Sequence, residues 1–443
     1  MSDPAGRTLF QLSYPLFLQS LVMFAVMALD MMIWSAHGPD TAAALSVAGQ
    51  VLRIAVELSA VMGIGAVILI SQHLGRGESE AARLTAEVAC VTNAALGVVA
   101  GLAMAIFGPM ALSLMGLSAA LEADGALYLR LAGVAMGFLC FTNAAVACLR
   151  GFGMSRIVML LGVFGALLYL GLEYLLVLAA GRGAEGAGLA NLTVRIIFAL
   201  VLVLAAERAL KLRFRLRAAL DNLPLARRMA ALALPSVSDF IAYGFYQMIL
   251  IGVIATHGDV AVLSRAYVMI AMSFLTLVIM AVCQGSEVLI GYRLGAGKRE
   301  AAQRQGLRSA LIAAGLSTFC AVLIWLASDL FIGLFSDDPA VLDLSRRLLW
   351  LTIFLQPCFA CNMILFHALR AVEDVRWPVL VSQSLSWGLG LPLAWALCIP
   401  FGFGVEGVWW AFVIEELAKA LAMLHRWSAR TRRAPARLGE GAL

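Results

Sequence analysis

Charge is what this chain has least of. Asp, Glu, Lys and Arg supply 13% of its 443 residues, about half the share of a soluble domain. Histidine is scarcer, with five scattered copies. There is no H-E-x-x-H, no G-x-S-x-G and no phosphate loop ending in G-K-[ST], so zinc hydrolysis, serine hydrolysis and nucleotide hydrolysis are excluded, and no cofactor is expected. The eight cysteines (90, 140, 148, 283, 320, 358, 361 and 398) all lie in apolar stretches, where Cys acts as a small hydrophobe rather than as half of a disulfide. Cys358 and Cys361 form a C-x-x-C with no second pair, which reads as packing, not as a metal site. After the polar lead Met1 to Arg7, the first apolar run continues to Ile33 without a small-residue cleavage site, so no removable signal peptide is expected.

Apolar residues dominate instead, at 62%, with a mean hydropathy of +0.93. Such a chain is an integral membrane protein, and helices are the only plausible spans. Stretches free of Asp, Glu, Lys and Arg run over 88–121, 131–149, 266–286, 309–328, 348–369 and 377–405. Adding the stretches with one or two charges predicts twelve transmembrane helices, near 11–36, 43–71, 86–116, 124–149, 157–180, 186–206, 232–256, 263–290, 309–335, 344–369, 377–400 and 406–427. Little is left for a separate soluble domain.

The second half repeats the first at an offset of 220. Pro15 falls on Pro235, His37-Gly38 on His257-Gly258, Leu74-Gly75 and Gly77 on Leu294-Gly295 and Gly297, and Leu149-Arg150 on Leu369-Arg370. Ala81-Ala82 and Arg156 keep the same register, and Glu185-Gly186 reaches Glu406-Gly407 after a one-residue slip. An even six helices per half makes the repeats parallel. The expected fold is an all-α integral membrane protein of two parallel-repeat six-helix bundles around a central cavity. Its parts are an N-lobe over 1–206, a basic linker over 207–228 and a C-lobe with a basic tail over 229–443. The net charge of +5 comes from loops on one face, among them Arg76, Arg83, Arg150, Arg156 and the run from Arg208 to Arg228. By the positive-inside rule both termini are cytoplasmic, and the charge marks topology, not a nucleic-acid surface.

Ionisable residues within the spans cost ~2.5–3.5 kcal/mol each at a helix centre and are functional candidates by default. They are Asp30, Arg53, Glu57, Glu173, Arg195, Asp239, Glu287, Glu415, Glu416 and Lys419. Asp30 lies seven residues before His37, and Glu173 seven before Ala180, so both sit about 10 Å below the outer surface. Arg53 and Arg195 lie roughly 14 Å deep, with Glu57 one turn below Arg53. The N-lobe therefore holds three acids and two arginines at neighbouring depths. Two readings are open: a cation or proton site at Asp30 and Glu173, or a static ion network with Arg53, Glu57 and Arg195 in which Arg53 and Glu57 neutralise each other. In the second half Leu250 and Leu393 take the places of Asp30 and Glu173, so ionic coupling is expected to be asymmetric. Methionines on the first helix (Met23, Met27, Met31, Met32) and on the seventh and eighth (Met248, Met269, Met272, Met280) suit either an adaptable substrate cavity or plain packing.

Several segments together resemble the multidrug and toxic compound extrusion (MATE) family: I-S-Q-H-L-G-R-G-E-S-E-A-A (Ile70 to Ala82), its partner I-G-Y-R-L-G-A-G-K-R-E-A-A (Ile290 to Ala302), L-R-G-F-G-M-S-R (Leu149 to Arg156), A-L-R-A-V-E-D-V-R-W-P (Ala368 to Pro378), L-P-L-A-W-A-L (Leu391 to Leu397) and G-V-E-G-V-W (Gly404 to Trp409). The resemblance covers nearly the whole chain and is nearest to the branch with an N-lobe coupling site. It implies a monomeric plasma (inner) membrane antiporter that exports small organic cations by alternating access in exchange for H⁺ or Na⁺. Asp30 matches the family's first-helix aspartate, and Glu173 falls where those members carry Asp. Tyr169 and Asn191 stand where Asn and Thr are usual. The C-lobe acids of the Na⁺-coupled branch are missing, their places falling near Tyr243 and Phe359, with Asp239 one turn away as a substitute. Fewer oxygen ligands, and arginines at a similar depth, favour H⁺ over Na⁺ at Asp30 and Glu173. Two other readings are a flippase for a lipid-linked or polar metabolite and a non-transporting membrane scaffold or receptor.

The orientation has a direct check. Single cysteines placed between Arg208 and Arg217 are expected to react with an impermeant maleimide in inverted vesicles and not in intact cells; labelling in intact cells reverses the topology.

Overall fold

The computed structural model describes residues 7–115 and 118–433. Met1 to Gly6 of the polar lead and residues 434–443 of the basic tail lie outside the described residues. No strand occurs among the described residues. Ten helical segments have the length and hydropathy to cross a bilayer, and two more complete the twelve: Arg376–Cys398, in three pieces, and α16 (Gly404–Arg433). In chain order the first six are α1 (Leu9–His37), α2 (Pro39–Leu58) with α3 (Val61–Gly75), α4 (Ser79–Leu114), α5 (Ala119–Gly151), α6 (Ser155–Glu173) with the π-helical turn Tyr174–Ala179, and α7 (Gly183–Leu210). The short α8 (Leu216–Asp221) leads to α9 (Leu223–Ala255). Then come α10 (Asp259–Gly295), α11 (Arg299–Leu326), the short α12 (Ser328–Gly333), α13 (Pro339–Ala371), and α14 (Arg376–Leu385) continued by the π-helical turn Ser386–Gly390 and α15 (Leu391–Cys398).

The chain divides into two compact units, Met1–Val237 and Ser238–Leu443. The division falls inside α9, because its first turns pack on the first unit. A Cβ on Gly65 of α3 would lie 2.4 Å from the Met229 carbonyl oxygen, so the two backbones touch.

The repeat seen in sequence is also a repeat of backbone conformation. Gly77 and Gly297, the second glycines of the paired L-G-x-G loops, have φ of 80° and 75°, a left-handed state that glycine adopts without a Cβ clash. Gly153 (74°) recurs 220 residues later as Glu373 (62°), and Gly181 and Gly183 recur as Gly402 and Gly404 after the one-residue slip.

Helix association follows the rule for apolar solvent, in which close backbone approach replaces hydrophobic driving force. The most extensive contact is between α4 and α5, whose seam holds a G-x-x-x-G on each helix: Gly101 meets Gly133, Gly97 lies against Met136 and Cys140, and Gly137 against Val98. A Cβ on Gly101 would lie 2.1 Å from the Gly133 carbonyl oxygen. In the second unit α11 presents a comparable buried stripe, Ala313, Ser317 and Ala321.

Helix 2, expected as one rod over 43–71, is broken at Ser59. No Pro or Gly marks the break. Instead the Asn93 amide donates to the Ser59 carbonyl (2.8 Å) and to that of Cys140 (2.7 Å), and Asn143 donates to the Ser59 hydroxyl (2.6 Å). A side chain inserted into the carbonyl ladder is a recognised cause of a kink. The span expected over 309–335 likewise ends at Leu326, with α12 as a separate turn.

Gly101→Val should lower the thermal unfolding temperature of the detergent-purified protein, through overpacking worth about 1–3 kcal/mol. Gly171→Ala should not, since a Cβ there meets nothing within 4 Å. Equal melting of the two variants would contradict the α4–α5 packing.

Candidate functional site

Four spans of the first unit bring polar groups to one place. Along α1, Asp30 and Trp34 are four residues apart and share a face; so do Tyr169 and Glu173 on α6, and Asn191 and Arg195 on α7. Tyr128 reaches in from α5. Glu173 is fully buried. Its Oε1 accepts from the Trp34 indole Nε1 (2.7 Å) and from the Tyr169 hydroxyl (3.0 Å). Asp30 neighbours Glu173 and lies near Tyr128. Asp30 Oδ1 and Glu173 Oε2 are both buried, and neither has a hydrogen-bond partner among the described residues. Two carboxylates cannot bond to each other without a proton, and bare charges at contact repel. Two carboxyls so placed are chemically able to share one proton or one cation. The π-helical turn begins at Tyr174, directly after Glu173; such turns often sit at functional positions.

Arg195 lies beside the Tyr128 and Tyr169 phenols and donates through Nε to Asn191 Oδ1 (3.3 Å). The expected network of Arg53, Glu57 and Arg195 divides at this point. Arg53 is exposed on α2, and its electrostatic partner is Glu57, one turn along the same helix. Side chains four apart on one helix reach each other more easily than either reaches α6.

The second unit holds a polar cluster where an apolar counterpart was expected. Leu250 does replace Asp30 and packs in an apolar core with Ile254, Leu348 and Trp409. The charges come instead from α16. Lys419 bridges Glu415 (2.5 Å) and Glu416 (3.0 Å), and all three are buried. Tyr246 and Ser386 donate to Glu415 at 2.5 and 2.7 Å, and Asn362 donates to Glu416 at 2.8 Å. Ser386 opens the second π-helical turn, and Gly390 closes it. A Cβ on Gly390 would fall 2.1 Å from Glu415 Oε2. The signal was in the sequence as E-E-x-x-K in the last span, where spacings of three and four place both acids beside one lysine. After the one-residue slip Arg195 pairs with Glu416, so comparison with Asp30 and Glu173 alone passes over the bridge.

Asp239 sits apart from that bridge, half-buried on α9. Its Oδ1 accepts from Gln383 Nε2 (2.6 Å), and Gln383 is held by Trp387 Nε1 (3.0 Å). Tyr243, one turn on, accepts from Gln247 Nε2, and Gln247 in turn accepts from Arg265 (3.0 Å). Tyr243, Tyr246 and Trp387 form a chain of aromatic rings with centroids 5.9 and 6.2 Å apart. On α1, Met23, Met27, Met31 and Met32 are exposed, as is Met248 on α9. No group of three or more His, Cys, Asp and Glu is arranged to hold a metal ion among the described residues.

Twelve apolar spans in two repeated units, each unit holding a buried polar cluster, are the frame of a membrane transporter. The MatE family model matches residues 15–175 and 235–396, and the chain belongs to the MATE family. It is 27% identical over 442 residues to the uncharacterized transporter YisQ of Bacillus subtilis (97% of this chain, 96% of that one). It is 23% identical to the multidrug resistance protein NorM of Burkholderia vietnamiensis (95% and 93%). Among solved structures, the fold matches a MOP superfamily transporter from Pyrococcus furiosus (TM-score 0.87, 19% identity, 97% and 96% covered). It also matches an outward-facing multidrug resistance MATE family transporter (TM-score 0.85, 18%, 97% and 96%).

The Lys419 bridge carries its own prediction. Lys419→Met leaves two carboxylates buried without a counter-charge and should destabilise by about 3–5 kcal/mol, read as a large fall in unfolding temperature. Adding Glu415→Gln and Glu416→Gln to that variant should restore most of the loss. If Lys419→Met melts like wild type, the bridge does not hold α16 in place.

Proposed function

We propose that the protein is a secondary antiporter that exports small amphipathic organic cations in exchange for protons, by alternating access across the inner membrane with both termini cytoplasmic. The observation that carries this reading is the Asp30–Glu173 pair, two adjacent carboxyls each with a buried, unpartnered oxygen. Protonation of the pair allows one hydrogen bond between α1 and α6. Loss of the proton leaves two like charges, which at 4 Å and an effective dielectric of ~20 repel by ~4 kcal/mol. The protonation state thus changes how strongly α1 is held against α6, and that is the property a coupling site needs.

The same geometry favours H⁺ over Na⁺. A sodium ion would need further oxygen ligands. Tyr169 already donates its hydroxyl to Glu173, and Asn191 Oδ1 is taken by Arg195, whose charge would face the metal. A proton needs only the two carboxyls.

For the substrate, Asp239 with the Tyr243, Tyr246 and Trp387 rings supports an organic cation, since aromatic faces and a carboxylate attract such a group. The multidrug resistance names of the NorM relatives agree with that reading.

Uptake of a fluorescent organic cation into proteoliposomes tests the proposal. An imposed pH gradient should drive it, and Asp30→Asn or Glu173→Gln should each reduce the initial rate to about a tenth or less, as for loss of an essential intramembrane acid. Uptake driven by Na⁺ at clamped pH, and lost in choline, would refute proton coupling. Wild-type rates in the double amide variant would remove the pair from the mechanism. Absence of any gradient-driven flux would favour the scaffold reading.

A further inference from the structure

Helix α4 has 36 residues, about 54 Å at 1.5 Å per residue, while the hydrocarbon core is about 30 Å thick. Its first turns therefore stand at headgroup level, beside the chain that leaves α7 at Leu210. Between these two segments lies a cleft of about 380 Å³ lined by Glu80, Arg83 and Glu87 of α4 and by Lys211, Arg213 and Arg215 of the linker. Four cations there face two acids. Both acids are engaged: Glu80 by Arg83 (2.5 Å) and Glu87 by the Arg213 backbone N–H (2.7 Å). The cleft keeps an excess of two positive charges. Lys211 holds its side chain there from a left-handed backbone position (φ 56°) that ends α7.

Directly after the cleft, α8 buries Ala219 and exposes Leu216 and Leu220, and Leu223 follows, also exposed. Leu216 and Leu220, four apart, share one face of α8, and Leu223 opens α9 just after it. Apolar side chains beside a cationic cleft, on a loop joining two membrane spans, match a ligand that is anionic at its head and apolar in its tail.

We propose that this cleft is a binding site for an anionic phospholipid of the cytoplasmic leaflet, with the phosphodiester between Arg83, Lys211, Arg213 and Arg215 and the acyl chains against Leu216, Leu220 and Leu223. The charge excess specifies an acidic lipid over a zwitterionic one. The leucines specify a lipid over a free phosphate.

Native mass spectrometry of the detergent-purified full chain, titrated with phosphatidylglycerol or phosphatidylcholine of matched chains, reads this directly. Wild type should retain phosphatidylglycerol in preference to phosphatidylcholine. Arg83→Gln, Lys211→Gln and Arg213→Gln together should weaken the acidic lipid roughly a hundredfold, given the usual contribution of a basic residue at an anionic surface. Arg346→Gln with Arg347→Gln, which removes charge from the first turns of α13, away from the cleft, should not weaken it. Glu80→Gln, at an exposed position that does not endanger folding, should tighten binding. Leu216→Ser with Leu220→Ser should weaken lipid binding. Equal retention of the two lipids by wild type, or no change in Glu80→Gln, overturns the proposal. So does full displacement of the lipid by millimolar inorganic phosphate, which would mark a soluble-anion site.

Discussion

Hydrocarbon supplies no hydrogen bonds, and nearly every polar feature of this protein answers to that constraint. Several buried polar side chains tie spans together. Asn93 gives its amide protons to carbonyls of two other segments. Trp409 donates to the Thr352 hydroxyl. Arg370 forms a two-point bridge to Glu287, with His367 beside it. Even the α4–α5 glycine contact belongs to this logic, since helices that have satisfied their own backbones gain by packing those backbones closely. Against that background Asp30 Oδ1 and Glu173 Oε2 stand out as the buried carboxyl oxygens without a partner among the described residues.

The two units meet the same constraint with different chemistry. In the first, Glu173 draws its donors from neutral groups, Trp34 and Tyr169, and its neighbouring acid offers no counter-charge. In the second, Glu415 and Glu416 share one ammonium and are further bonded by Tyr246, Ser386 and Asn362. A buried bridge satisfied on all sides resists change, and removing one partner is costly. One helical frame, repeated, carries an acid pair bonded by neutral donors in one copy and a lysine-bridged ionic triad in the other. A π-helical turn lies beside the acids in both.

The twelve spans could be read from hydropathy because span length is fixed by bilayer thickness, a one-dimensional property. The repeat could be read because L-G-x-G and its neighbours carry backbone requirements, visible as positive φ at Gly77 and Gly297. Asp30 and Glu173 could be proposed from depth alone, since distance along a helix converts to depth in a bilayer. The break at Ser59 could not, for its cause is Asn93, which is distant in sequence and lacks any local helix-breaking signature. Trp34 as a ligand of Glu173 was hidden for the same reason: an indole in an apolar run looks like packing until α6 is beside it.

By itself, then, the sequence determined the class, the number of spans, the internal repeat and which charges had to be explained, because each depends on composition, spacing or position along a helix axis. Rotation about those axes was decided only by the tertiary structure. That rotation separates Arg53 and Glu57 from the acid pair and sets Arg195 beside Tyr128 and Tyr169. It also brings Tyr246, Ser386 and Asn362 onto the Lys419 bridge and turns Leu216 and Leu220 outward beside a basic cleft. A helix fixes the angle between its own side chains, but the direction they face is set by packing against neighbours far away in the chain.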